Sequence, residues 1–171
     1  MHKRVKSFIL GIKAMHPEFF RYVKVLDCGS LDINGSNRQF FEDSVYTGID
    51  IVDGRNVDVV TRVHKFNPET LYDVVISTEM LEHDRYINDS LNKMYQLLKP
   101  GGLLIITAAG VGREEHGTAG RHPNDSPLTH DFYSNIDSAE IFAYLPVDDF
   151  RVWALSYLET DIRFYGFKQL S

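Results

Sequence analysis

The sequence predicts an α/β fold, a doubly wound and mostly parallel sheet, and three stretches carry that expectation. In Lys24 to Phe41, KVLDCGSLDINGSNRQFF, an apolar run (Val23, Val25, Leu26) closes on Asp27. It then passes through a turn-rich segment (Gly29, Ser30, Asp32, Asn34, Gly35) and enters a helix-like one. That is the order of a buried strand, a ligand-facing loop and a crossover helix. Tyr72 to Ser77 is an apolar run of the kind found where a sheet is covered on both faces. Near the end, Phe150 to Tyr157 and Ile162 to Phe167 read as two strands joined tightly around Thr160.

Composition sets the outer bounds. A chain of 171 residues suggests one domain, 1–171, long enough for a single sizeable core. Its 43% hydrophobic and 25% charged content is ordinary for a water-soluble fold, and no apolar stretch approaches the ~20 residues that span a bilayer. A net charge of −6 argues against a nucleic-acid surface, because phosphate contacts need Lys and Arg gathered on one face. The densest basic run, His2 to Lys6, is short and terminal. Cys28 is the only cysteine, which excludes an internal disulfide and suits a reducing compartment; a cytoplasmic location is expected.

Within residues 1–22, Val5, Phe8, Ile9, Ile12 and Met15 recur at helical spacing, and Pro17 stops the helix. The basic-then-apolar start also invites a signal-peptide reading, but Lys13 interrupts the apolar part and no small-residue cleavage site precedes Pro17. A packed amphipathic helix is the expectation, either as a lid over the sheet edge or cofactor cleft or as plain core packing. Asn37 to Glu42 should be a short helix. Val45 to Ile51 makes the second strand, Asp53-Gly54 a turn, and Val57, Val59 and Val60 the third strand. After Tyr72 to Ser77, a helix carries Leu91, Met94, Tyr95, Leu97 and Leu98 inward. Pro100-Gly101-Gly102 ends it, and Leu103 to Ala108 makes the fifth strand. The segment 110–133 is rich in Gly, Pro and His; an irregular stretch of that length is usually functional or mobile. Ser138 to Tyr144 reads as a helix.

The first strand's carboxyl end is where an open α/β sheet places a nucleotide-like ligand. A dinucleotide fingerprint needs G-x-G-x-x-G against a pyrophosphate, whereas this loop holds only Gly29 and Gly35 beside two carboxylates, Asp27 and Asp32. Negative charge repels a pyrophosphate and favours a cation. A cationic, phosphate-free cofactor such as S-adenosylmethionine fits better. Asp50 follows Asp27 at close to the ~20-residue offset at which a ribose-binding acid is expected.

Motif and order together resemble the class I (Rossmann-like) S-adenosylmethionine-dependent methyltransferases, over Val23 to Ala109 and more loosely to the end. In that family the first strand closes with an acidic residue and a glycine loop, matched by Asp27 and Gly29. The second strand ends with an acid that holds the ribose hydroxyls, matched by Asp50 in YTGID. The wording YDVVISTEMLEH and LLKPGG is close to the family's fourth strand and to the approach to its fifth. Leu31 and Ile33 depart from the pattern, standing where the family has its second and third glycines. The resemblance implies a seven-stranded sheet ending in an antiparallel strand pair. It implies S-adenosylmethionine held by Asp27, Gly29, Ser30, Leu31, Asp32, Asp50, Ile51, Val63, His64, Thr78, Glu79 and Leu81, with Val63-His64 against the adenine.

Methyl transfer needs alignment above all, so no catalytic triad is required, and none is found. A general base is needed only when the acceptor must lose a proton. His83, His116 and His130 are the candidates, the last two in the 110–133 segment that would border the acceptor. If helical, Glu79, Glu82 and His83 would share one face and could bind a divalent cation. The bland reading, two carboxylates favouring a helix N-terminus, is preferred, and no metal is expected. Arg113 and Arg121 could clamp an anionic acceptor or be solvated. The turn Ser77-Thr78-Glu79-Met80 is not the Asp-Pro-Pro-Tyr type of amino-methylating DNA enzymes, and Cys28 is not in a Pro-Cys motif, so a small-molecule or sugar-like acceptor is favoured by elimination. A catalytically silent cofactor-binding module is the alternative, and a nicotinamide-dependent enzyme the weaker third reading. Oligomeric state is not readable.

Overall fold

The computed structural model describes residues 3–126 and 128–170; the His2 end of the basic run lies outside them. The strands are β1 (Lys24–Cys28), β2 (Val45–Asp50), β3 (Val59–Val60), β4 (Tyr72–Thr78), β5 (Leu98–Ala109), β6 (Phe150–Leu158) and β7 (Asp161–Lys168). They form one sheet in the order β3-β2-β1-β4-β5-β7-β6. All neighbours pair parallel except β7, which runs antiparallel to both β5 and β6. The expected seven-stranded, mostly parallel sheet with a C-terminal antiparallel pair is therefore present.

Period-two alternation along each strand supplies both faces of the sheet with apolar side chains. Val25, Val74, Ile76, Leu103, Ile105 and Phe167 pack against α1 (Lys3–Met15) through Val5, Ile9 and Ile12. On the other face, Leu26, Cys28, Val75, Leu104 and Ile106 pack against α2 (Ile87–Leu97) and α3 (Ser138–Tyr144). The N-terminal helix is thus core packing on a sheet face rather than a lid over the cleft. Met15, predicted on its apolar stripe, is exposed because the helix ends there. Burial of an Ile such as Ile9 stabilises the fold by roughly 1.5–3 kcal/mol. Among the described residues no helix is long and apolar enough to cross a membrane.

Three differences from the sequence reading go beyond a single residue at an element's end. The segment after the glycine loop is one 3-10 turn, Asn37–Phe40, begun by the Ser36 side chain accepting from the Arg38 N–H. Edge strand β3 keeps only Val59 and Val60, leaving Val57 in the preceding turn. Pro100-Gly101-Gly102 does not separate helix from strand: α2 stops at Leu97 and β5 starts at Leu98, so the three residues lie inside the strand. The register there shifts between Tyr72 and Val74, and Gly101 takes a left-handed φ of 76°. An irregularity of that kind absorbs the proline within a ladder.

Candidate active site

At the carboxyl ends of β1, β2 and β4 opens a cleft of about 200 Å³, the position at which open α/β sheets bind ligands. Asp27, Gly29, Ser30, Leu31, Asp50, Ile51, Val63, Thr78 and Glu79 line it, as do His83 and His116. Gly29 holds φ 84°, and a Cβ built on it would lie 2.6 Å from Met80 Cβ, so the loop reaches the cleft wall only as glycine.

Asp27 is almost fully buried at the end of β1. Asn37 Nδ2 donates to its Oδ1 at 3.0 Å and the Tyr46 hydroxyl to its Oδ2 at 2.7 Å; the same Asn37 amide donates to Thr78 Oγ1 at 3.0 Å. Burial pushes the Asp27 carboxyl up to about 6, against the pull of those two hydrogen bonds. Asp50, at the tip of β2, accepts from the Leu31 N–H at 3.1 Å and the Val52 N–H at 3.2 Å. Burial raises its pKa too, and the backbone N–H groups oppose the rise. Both carboxylates border one crevice.

Asp32 lies outside the cleft lining. Burial pushes its carboxyl up, but Arg55 and the Gly35 N–H outweigh this and hold it below the ordinary carboxylate range. Arg55 Nε donates to it at 2.9 Å, Asn56 Nδ2 at 3.1 Å and the Gly35 N–H at 2.7 Å. The side chain thereby braces the loop where the glycine pattern is broken.

Two more of the expected cofactor contacts fall elsewhere. His64 packs its ring 4.4 Å from Tyr86, while its neighbour Val63 faces the cleft. Leu81 is fully buried in the core beneath α2. Of the histidines, exposed His130 lies away from the cleft, its carbonyl accepting from the Ala119 N–H at 2.9 Å. The loop arginines are engaged with protein, Arg113 Nη1 with Asp161 at 2.6 Å and Arg121 with Glu114 at 3.9 Å.

The segment Glu79 to His83 is not an α-helix. Glu79 takes a left-handed φ of 53°, and a 3-10 turn, Leu81–His83, follows. Glu79 therefore turns toward β5, accepting from Thr107 Oγ1 at 3.0 Å, while Glu82 and His83 meet His116 from the late loop. Burial raises Glu82 well above the usual carboxylate range, with Glu79 adding to the rise, and pushes His83 down to about 4. Tyr133 sets its ring edge against both imidazoles, 5.5 Å from His83 and 5.0 Å from His116.

Sequence reasoning missed Ser36, Asn37, Arg62, Met80 and, from the late loop, Asp125, Ser126 and Thr129, all of which line the cleft. Adjacency signals Asn37, which follows the glycine loop, and Met80, which follows Glu79; the late-loop residues had no local signal.

The family described as a methyltransferase domain matches residues 15–152, most of the chain. The chain belongs to that family. No curated protein matches its sequence. Among solved structures, this methyltransferase-domain chain is similar to Burkholderia thailandensis 1,6-didemethyltoxoflavin-N1-methyltransferase, solved with 1,6-didemethyltoxoflavin and S-adenosylhomocysteine. The match has a TM-score of 0.64 and 16% identity over 98% of this chain and 77% of that one. N-methyltransferase NodS of Bradyrhizobium japonicum WM9 matches with a TM-score of 0.62 and 11% identity over 98% of both chains. Magnesium protoporphyrin IX methyltransferase of Synechocystis PCC 6803, with bound S-adenosylmethionine, gives 0.65 and 14% over 98% and 79%. The methyltransferase-domain chain thus shares the fold of these three methyltransferases.

Proposed function

We propose that the chain transfers a methyl group from S-adenosylmethionine to an oxygen or nitrogen of a small-molecule acceptor. One observation carries this reading: Asp27 and Asp50, at the tips of adjacent parallel strands, border the same cleft on either side of a loop that admits no Cβ at Gly29. That cradle suits a cationic nucleoside without phosphates, since two carboxylates would repel a pyrophosphate. When bound, the cofactor supplies an electrophilic methyl group on a sulfonium. Asp27 would favour the cofactor's ammonium through its charge, and Asp50 would accept from ribose hydroxyls with lone pairs its backbone donors leave open.

The remainder of the cleft belongs to the acceptor in this reading. His83, His116, Asp125, Ser126 and Thr129 form that end, and their work is to orient the acceptor and exclude water. Alignment can supply ~7–11 kcal/mol of barrier reduction, so a polar wall with no triad is sufficient. The toxoflavin and protoporphyrin enzymes are named for dissimilar compounds, so the acceptor class comes from the cleft's own chemistry.

Isothermal titration with S-adenosylmethionine and S-adenosylhomocysteine tests the reading, followed by turnover on hydroxyl- and amine-bearing acceptors. One cofactor bound per chain and methylation of at least one acceptor are expected. No binding of either compound rejects it; binding with no turnover on any acceptor favours a silent module.

A further inference from the structure

We propose that Glu82, His83 and His116 form a binding site for one divalent cation of the zinc type, with its open coordination positions facing the acceptor end of the cleft. The three residues offer donor atoms that all lie within 4.8 Å of one another. Ligands ~2.1 Å from a tetrahedral ion stand roughly 3.4 Å apart, so side-chain adjustments of about 1 Å close the set.

The state of each donor supports the assignment. Glu82 is fully buried, and neither carboxylate oxygen makes a well-formed hydrogen bond. The backbone N–H groups of Glu82 and Ala109 and the charge of Arg113 favour its ionised form from nearby, but the guanidinium is paired with Asp161. Such a carboxylate is costly to bury, and a cation is the partner that fits. His116 is arranged as a metal-binding histidine should be: Nδ1 lies 3.0 Å from the Glu114 carbonyl, which fixes the proton on that nitrogen. In the neutral ring the lone pair then sits on Nε2, 4.0 Å from Glu82 Oε1. A backbone carbonyl on the far nitrogen is the usual device for setting a ligating imidazole's tautomer. Nδ1 of His83 is likewise buried without a partner.

The fold also holds the loop against the cluster. Gly117 has φ 67°, and a Cβ there would stand 2.8 Å from His83 Cε1, so glycine lets the segment bring His116 onto His83. His83 and His116 line the cleft whereas Glu82 does not, so an ion held by the three would be reached from the cofactor's side. Two imidazoles with one carboxylate favour zinc, cobalt or manganese over magnesium, and a set of three protein ligands leaves room for an exogenous oxygen. Resting on the proposed methyl transfer, that oxygen would be the acceptor's, which narrows the acceptor to a compound bearing a hydroxyl or comparable oxygen ligand.

The experiment strips the full chain with chelator and titrates it separately with zinc, cobalt, manganese and magnesium chlorides. One ion per chain is expected, with zinc bound at least tenfold tighter than magnesium. Cobalt should give visible d–d bands of a low-coordinate nitrogen/oxygen site. His116→Ala and Glu82→Gln should each weaken zinc at least tenfold and alter the cobalt spectrum, while His130→Ala leaves both unchanged. Circular dichroism checks folding, and if Glu82→Gln does not fold, His116→Ala decides alone. No bound ion, or unchanged affinity in the folded variants, overturns the site. Titrating the stripped protein with S-adenosylhomocysteine keeps the two readings apart. Retained cofactor binding without metal binding sinks only the cation site; the reverse sinks only the methyltransferase reading.

Discussion

The Tyr46 hydroxyl reaches across from β2 to donate to Asp27 Oδ2 at 2.7 Å, so the carboxylate at the tip of β1 is tied to the neighbouring strand before any ligand arrives. With Asn37 on the other oxygen, the group is aimed by two donors and still pushed up to about 6 by burial. Preorganisation and desolvation thus act on one side chain. Desolvation raises the free energy of the ion, and a bound cation relieves it.

A pH dependence follows, with its sign set by the raised pKa. The folded chain holds the Asp27 proton up to about pH 6, whereas the unfolded chain releases it near 3.8. Stability from this group is therefore fully present below about pH 4 and lost as pH rises through 6, a change on the order of 3 kcal/mol. Urea unfolding of wild type and Asp27→Asn at pH 4.5 and 7.5 isolates it: wild type should lose more stability across the window than the variant. Parallel curves would assign the pH dependence to other groups. Cofactor binding at pH 5.5 should release a proton in the wild type, read by titration in buffers of different ionisation enthalpy.

Asp50→Ala is expected to weaken S-adenosylhomocysteine at least tenfold, about 1.4 kcal/mol. Its carboxylate also caps the Leu31 and Val52 N–H groups, so some melting-temperature loss should accompany the change. Asp50→Asn separates the two effects, since the amide oxygen can keep one backbone bond. Wild-type affinity in a folded Asp50→Ala protein would move the ribose contact elsewhere.

Gly29→Ala tests the cradle with the smallest possible side chain. The new Cβ would meet Met80 Cβ and Cγ at 2.6 Å and sit at φ 84°. The left-handed backbone alone costs roughly 1–2 kcal/mol. Differential scanning calorimetry should show a clear drop in melting temperature, and titration a loss of cofactor binding as Met80 is displaced into the cleft. Unchanged binding would mean that the wall moves outward instead.

What could be read in advance follows from which interactions are local. The run Tyr72 to Ser77 announced a central strand because burial on both faces demands apolar residues at consecutive positions, and Asp27 and Asp50 stood out as acids ending such runs. The start of β5 at Leu98 was hidden, since Leu97-Leu98 suits a helix and a strand alike and Pro-Gly-Gly reads as a stop. The Glu79–Glu82–His83 trio was visible but misassembled: a left-handed residue at 79 sends one carboxylate to Thr107 and leaves the other beside His116. His116 and His130 look equivalent in sequence. Only the path of the loop places the first in the cleft and the second on the surface, and a loop's path depends on contacts distant in the chain.

The position of α1 yields the last prediction. Ile9 is fully buried between the helix and the sheet, packed in one cluster with Val25, Val74, Ile76 and Leu103, whereas Leu10 beside it is 48% exposed. If the helix serves the core, Ile9→Ala should lower unfolding free energy by about 2–5 kcal/mol through lost burial and a residual cavity. Leu10→Ala should stay within about 0.5 kcal/mol of wild type. Cofactor affinity, measured well below the melting temperature, should be the same in both variants and the wild type, because α1 lies on a sheet face and none of its residues lines the cleft. A helix acting as a lid predicts the opposite pattern, with affinity falling in Ile9→Ala while the protein stays folded. Chemical unfolding together with titration of the two variants decides between them, and the packing of Ile9 against β1 and β4 favours the core.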